Sequence, residues 1–194
     1  MEALYDIIAD REQRLLLRWW LDARGTREMP ARGDFDPLDH PDLLPRLFLV
    51  AVNPEPPHFR YRLCGTEIDV QQGYSMTART FEELFSGELL RFTHERFFDT
   101  AFNRRISYHT THFSNDNEAK SWRFTRLLLP LAESGARVDM ILGSRVVVSG
   151  LRRSYAELEQ DVDTRQSYEV AVVDAAHAAE PRVRMLSPGT PEQL

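Results

Sequence analysis

The run ISYHTTHFSNDNEAKSWRFTRLLLPLAESGARVDMILGSRVVV (106–148) decides the fold. ISYHTTHF (106–113) alternates and is rich in Thr, Tyr and His, as a half-buried strand should be. SNDNEAK is a polar turn. WRFTRLLLPL (122–131) sets Trp122, Phe124 and Leu128 on one face and Arg123, Thr125, Leu127 and Leu129 on the other. ESGA is a second turn. RVDMILGSRVVV (137–148) then alternates Val138, Met140 and Leu142 against Arg137, Asp139 and Ile141. Three consecutive strands joined by short polar turns predict an antiparallel meander.

Working upstream, Glu88 to about Arg105 has helical spacing, with Leu89, Phe92, Phe97, Ala101 and Phe102 inward, the stem of Arg96 beside them and Phe98 widening the face. Before it, CGTEIDVQQGYSMTARTFEELF (64–85) holds two short helices. Thr66 is placed to cap IDVQQ, which Gly73 ends, and Thr80 to cap FEELF, with Glu83 as its capping-box partner. LFLVAV (47–52) and FRYRL (59–63), separated by NPEPP, predict a hairpin with Phe59, Tyr61 and Leu63 on one face and Arg60 and Arg62 on the other.

Residues 4–23 read as one helix with Leu4, Ile8, Leu15 and Trp19 on a stripe that Leu16, Leu17, Trp20 and Leu21 widen, stopped by Gly25. A stripe that wide needs cover, either from the same chain or from a second copy. Pro30, Pro37, Pro41 and Pro45 make 26–46 a connector. Its aspartates Asp34, Asp36, Asp39 and Asp42 fail the EF-hand template, since Pro37 falls inside the would-be loop and the sixth position is not glycine. Beyond Gly150 regularity falls, with SYEVAVV (167–173) a candidate edge strand. The expected organisation is an N-terminal helix (1–25), a domain (26–150) and a partly flexible C-terminal extension (151–194).

The length of 194 residues fits one domain with extensions. A net charge of −6 argues against a nucleic-acid partner, because phosphate binding rests on clustered positive charge. Lys120 is the only lysine, beside 23 arginines, which codon bias explains more plainly than anion recognition does. No apolar run is long enough for a membrane span, and the acidic, mixed N-terminus is unlike a signal peptide. Cytoplasmic placement is the expectation. Cys64 stands alone, so neither a disulfide framework nor a thiolate zinc site is predicted.

Two strands, a helical insert and three antiparallel strands predict an α+β fold, a five-stranded antiparallel sheet with helices on one face. The wording of 19–65 adds to this: Trp20, Arg24, Pro30, Arg32, Asp36-Pro37, Leu43-Leu44-Pro45, Phe59-Arg60-Tyr61-Arg62-Leu63 and Gly65-Thr66 resemble a bacterial PAS-like family over about residues 10–150. The resemblance implies a sensory or interaction module in signal transduction, holding a small molecule, haem or flavin between sheet and helices, or simply dimerising. It carries over no particular ligand, so the cofactor stays unknown. It also implies a homodimer through the N-terminal helix and an unidentified signalling partner protein. The stretch after Gly150 is too short for a catalytic output domain.

The walls expected for such a cavity are Tyr61, Phe97, Phe113, Trp122, Phe124, Met140 and Leu142, chosen for size and strand phase. His94, in the long helix among phenylalanines, is the candidate axial ligand if the group is haem. His109 and His112, three apart in a strand, face opposite ways and cannot share a metal. No catalytic motif is present: no G-x-S-x-G elbow and no glycine-rich phosphate loop. Arg60 and Arg62 suit either an anionic ligand or plain surface ion pairs. A small enzyme on a cone-shaped α+β fold is the alternative, drawing on His94, His109 or His112; an adaptor with a filled core is a third.

Overall fold

The computed structural model describes residues 4–114, 121–135, 137–150, 157, 165–177 and 184–186. Its frame is an antiparallel sheet of β1 (Leu47–Val52), β2 (Phe59–Cys64), β3 (Arg105–Ser114), β4 (Trp122–Leu131), β5 (Met140–Gly150), β6 (Arg165–Asp174) and β7 (Arg184–Leu186). The spatial order is β2-β1-β5-β4-β3-β6-β7. The five expected strands are all present, and β3 to β5 form the meander read from 106–148. Two corrections concern the sheet's extent. Among the described residues it has seven strands, and 167–173 is no edge: β6 pairs with β3 along its whole length and carries β7 on its other side. A ten-residue strand beside another satisfies far more backbone than a free tail could, which is why the extension joins the sheet.

The helices α1 (Leu4–Ile7), α2 (Arg11–Arg24), α3 (Thr66–Gln72), α4 (Phe81–Leu84) and α5 (Gly87–Phe102) lie on both faces. The expected single N-terminal helix is broken at 8–10, because the Asp10 side chain accepts from the Gln13 amide at 2.9 Å and starts α2 afresh. Gly25 ends it at φ 54°, as expected. The buried stripe is Gln13, Leu16, Leu17 and Trp20, while Leu15 points to solvent and Trp19 is half-buried. That stripe covers the sheet face formed by Leu47, Leu49, Tyr108, Leu127, Leu129 and Leu142. Trp20 Nε1 donates to the Pro130 carbonyl at 2.8 Å, Gln13 Nε2 donates to Ser144 Oγ at 3.1 Å, and Thr125 Oγ1 donates to Gln13 Oε1 at 3.0 Å. The amide of Gln13 is buried at no net loss because both its ends are bonded. Each large apolar side chain of the stripe contributes about 1.5–3 kcal/mol by leaving water. So the helices expected on one face stand on two, and the N-terminal helix covers its own chain's sheet.

On the opposite face lie α3, α4 and α5. Gly73 closes α3 at φ 76°; its N-cap is Gly65, not Thr66, and a Cβ on Gly65 would overlap the carbonyls of Leu44 and Pro45. The capping box of α4 is present: the Thr80 amide donates to Glu83 Oε2 at 2.6 Å, which lowers the Glu83 pKa. A bulge in β2 corrects one phase. Leu49 pairs with Leu63 but Val50 pairs with Tyr61, so Arg62 and Leu63 both face solvent and Cys64 turns inward.

Candidate functional site

Antiparallel register builds the site. His109 on β3 pairs with Arg126 on β4, and Arg126 pairs with Arg145 on β5, so three nitrogen-rich side chains cross the α5-facing side of the sheet in one row. They are 1%, 2% and 4% exposed, where ionisable groups are rarely found without a reason. The next row holds Tyr168, Thr111 and Phe124, and beyond it stand Phe113 and Trp122. Phe113 stacks on Trp122 at 5.6 Å and Trp122 tilts over Phe124 at 4.8 Å. The Arg126 guanidinium lies 4.9 Å from the Phe124 ring centre, while Arg145 sits 5.7 Å from Phe124 and donates through Nη2 to Gln71 Oε1 of α3.

The facing wall is α5. Phe92 meets His109 edge-on at 5.7 Å, stacks against Tyr168 at 3.4 Å and has the Arg96 guanidinium 5.9 Å from its centre. The helix is pinned where it meets β3: Asp99 Oδ1 accepts from Asn103 Nδ2 at 2.8 Å and from Arg105 Nη1 at 2.9 Å, and Arg105 Nε donates on to Asp174 at 3.1 Å.

Between the two walls many polar atoms are buried without a hydrogen-bond partner among the described residues. They include both ring nitrogens of His109, Nε and Nη1 of Arg96, Tyr168 OH, and the hydroxyls of Thr93, Ser107 and Thr111. A buried polar group left unbonded costs about 1–3 kcal/mol, so a set this dense calls for water or a ligand to complete it. Burial first, then the charges of Arg126 and Arg96, push the His109 pKa well below 6.5 and keep its imidazole neutral. Burial likewise raises the Tyr168 pKa.

The cavity walls expected from sequence divide three ways. Phe113, Trp122 and Phe124 line the site. Tyr61 and Phe97 stand on the same side but in the other half, where Phe48, Phe59, Tyr61, Phe81, Phe85 and Phe97 pack ring against ring; Phe97 meets Phe81 at 4.7 Å and Tyr61 meets Phe81 at 5.3 Å. That half is a closed aromatic core. Met140 and Leu142 are corrections: Leu142 pairs with Leu49 and Leu129, which puts it and Met140 on the α2 side. The side chains of β5 that face α5 are Ile141, Arg145 and Val147, so the strand's phase is the reverse of the one expected.

His94 does not fit a haem ligand. Its Nε2 lies 3.0 Å from Glu82 Oε1, and its ring meets Phe59 at 5.4 Å and Phe81 at 5.8 Å, on the α4 flank of α5 and away from the row of His109. His112 faces away from His109, as expected, and no group of three His, Cys, Asp or Glu suited to a metal occurs among the described residues. Cys64 is a packing residue: burial, with Asp69 nearby, pushes its pKa up to about 12, too high for a reactive thiolate. Arg60 donates to the Ala78 carbonyl at 2.6 Å on the outer edge and Arg62 is exposed, so neither reaches the site.

Sequence reasoning passed over Arg96, Arg126, Arg145 and Tyr168 as site residues. One signal was available. Arg126 occupies the same phase as Trp122, Phe124 and Leu128, a charge in an otherwise apolar set.

An antiparallel sheet whose first five strands stand in the order 2-1-5-4-3, with short helices and one long helix packed over buried polar side chains, is the frame the chain presents. The chain belongs to the PAS family: a family model described as PAS domain matches residues 9–146. No curated protein matches the chain. The matched span includes all of α2 and stops before β6. No helix among the described residues is long and apolar enough to cross a membrane.

Proposed function

We propose that this PAS module is a sensor that captures a small molecule between α5 and strands β3 to β6, and passes the occupied state to a protein partner. One observation carries the reading: His109 is fully enclosed, in the same row as two buried arginines, with neither ring nitrogen hydrogen-bonded among the described residues. A fold gains nothing from such a group unless something completes it. Occupancy would reach the surface through α5, whose Phe92 touches both His109 and Tyr168 and whose last turn is tied by Asp99 and Arg105 to β3 and β6. The partner can be a second copy of the chain. In that case the contact uses a surface other than the apolar stripe of α2, which lies on its own sheet.

The enzyme reading has less support, since a catalytic histidine needs a partner to orient its ring and His109 has none among the described residues. Haem through His94 would require the Glu82 contact to break. The test is native mass spectrometry of the purified chain, followed by titration with a fractionated small-molecule extract while the His109 ring nitrogens are watched by NMR. A bound mass that leaves on unfolding, or a fraction that moves the His109 signals, is expected. A chain that carries nothing and does not respond to any fraction overturns the reading.

A further inference from the structure

We propose that the molecule this site takes is a small organic anion: a carboxylate whose charged end is held by Arg96 and His109 beside Arg126, and whose apolar body lies against Phe113, Trp122 and Phe124. The inference rests on the cradle reading above and names its ligand class.

The donor set decides the charge. Along the α5-facing phase of the sheet the side chains are Arg105, Ser107, His109, Thr111 and Phe113 on β3, Trp122, Phe124, Arg126 and Leu128 on β4, Ile141, Arg145 and Val147 on β5, and Gln166, Tyr168, Val170, Val172 and Asp174 on β6. The carboxylate in that set, Asp174, stands at the far end of the sheet and is held by Arg105. The acids of α5 are Asp99, whose Oδ1 accepts from Asn103 and Arg105 at that same end, and Glu88 and Glu95, which meet Arg91 on the exposed side. What the walls offer is guanidinium, imidazole and hydroxyl. Arg96 presents a buried Nε and a buried Nη1 with no acceptor among the described residues, so a carboxylate can accept from either edge of the guanidinium, and His109 can place a further N–H beside it. A cation in a low-dielectric space also attracts an anion far more strongly than it would in water.

The rings decide the body. Phe113, Trp122 and Phe124 are buried and mutually stacked next to the row of His109, so a ligand reaching from the arginines meets aromatic surface at once. A bare inorganic anion would leave that surface unused, while an acid with an aromatic or aliphatic body covers it.

The experiment is calorimetric titration of the full chain, refolded free of co-purified molecules, with benzoate, with neutral benzamide and with inorganic phosphate. His109 ring signals are recorded in each. Benzoate should bind at least tenfold more tightly than either other probe and shift the His109 nitrogens. Arg96→Gln should weaken benzoate at least tenfold and Arg96→Lys less, with unchanged circular dichroism reporting that both variants fold. Benzamide binding as tightly as benzoate with the same His109 shift refutes the anion while leaving the cradle in place. Phosphate binding more tightly than benzoate refutes the organic body. Failure of all three probes to move His109 refutes the inference outright, and the extract titration then decides separately whether the cradle survives.

Discussion

Acidification of the ligand-free protein should expose His109 as a stability switch. In the fold its imidazole is neutral, because burial and the charges of Arg126 and Arg96 hold its pKa well below 6.5. In the unfolded chain it titrates at about 6.5. A group with a depressed folded pKa binds more protons unfolded than folded once the pH drops below 6.5, so its stabilising contribution is complete above that value and shrinks as the pH falls. A single titrating imidazole bounds the loss between pH 7.5 and 5.5 at on the order of 1 kcal/mol. For a chain of this size that is a few degrees in Tm at most. The assay is thermal or urea unfolding at pH 7.5, 6.5 and 5.5 for the wild type and for His109→Gln, which keeps a neutral polar group but cannot titrate. Taking the difference between the two proteins cancels the other histidines and the carboxylates. The wild type should lose more stability than the variant across that range, by on the order of 1 kcal/mol. Parallel curves would mean that His109 is protonated inside the fold, and the electrostatic account of the site would be wrong.

Three further outcomes test the architecture. Trp20→Ala should cost about 3–5 kcal/mol in urea unfolding, because the ring is fully enclosed and its Nε1–H is bonded to the Pro130 carbonyl; a loss below about 0.5 kcal/mol would mean α2 is not docked on the sheet. Gly143→Ala should lower the Tm sharply, since a Cβ there overlaps the Phe48 ring; an unchanged Tm would refute the contact between β5 and Phe48. Leu142→Ala should destabilise by about 2–5 kcal/mol while leaving benzoate affinity intact, because Leu142 faces α2. A tenfold loss of affinity in a still-folded Leu142→Ala protein would reverse the assignment of the two faces.

The arrangement also explains why β6, which lies beyond the PAS match, matters to the site. Tyr168 of β6 lies against Phe92 and belongs to the same face as His109, so β6 closes the side of the cradle that β3 alone would leave open. An edge at β3 would present unpaired backbone next to the site, and β6 covers it.

Local patterning in the chain was enough to determine the elements. A short apolar run marked β1, alternation marked β2 through β5, helical spacing marked α5, and Thr80 with Glu83, Gly73 and Gly25 marked ends that the fold uses, because each depends on residues a few positions apart. What depended on distant partners stayed hidden. A period of two says which residues share a face but not which face turns inward, so one rule grouped Phe124 with Leu142, which stand on opposite faces of the sheet. The β2 bulge, invisible in FRYRL, moved Leu63 out and Cys64 in. The row of His109, Arg126 and Arg145 exists only because three strands align in one register, and α2 covers its own sheet only because Gln13 and Trp20 find Ser144 and Pro130 more than a hundred residues away. Sequence spacing encodes what near neighbours do; pairing and docking between remote segments brought the site together.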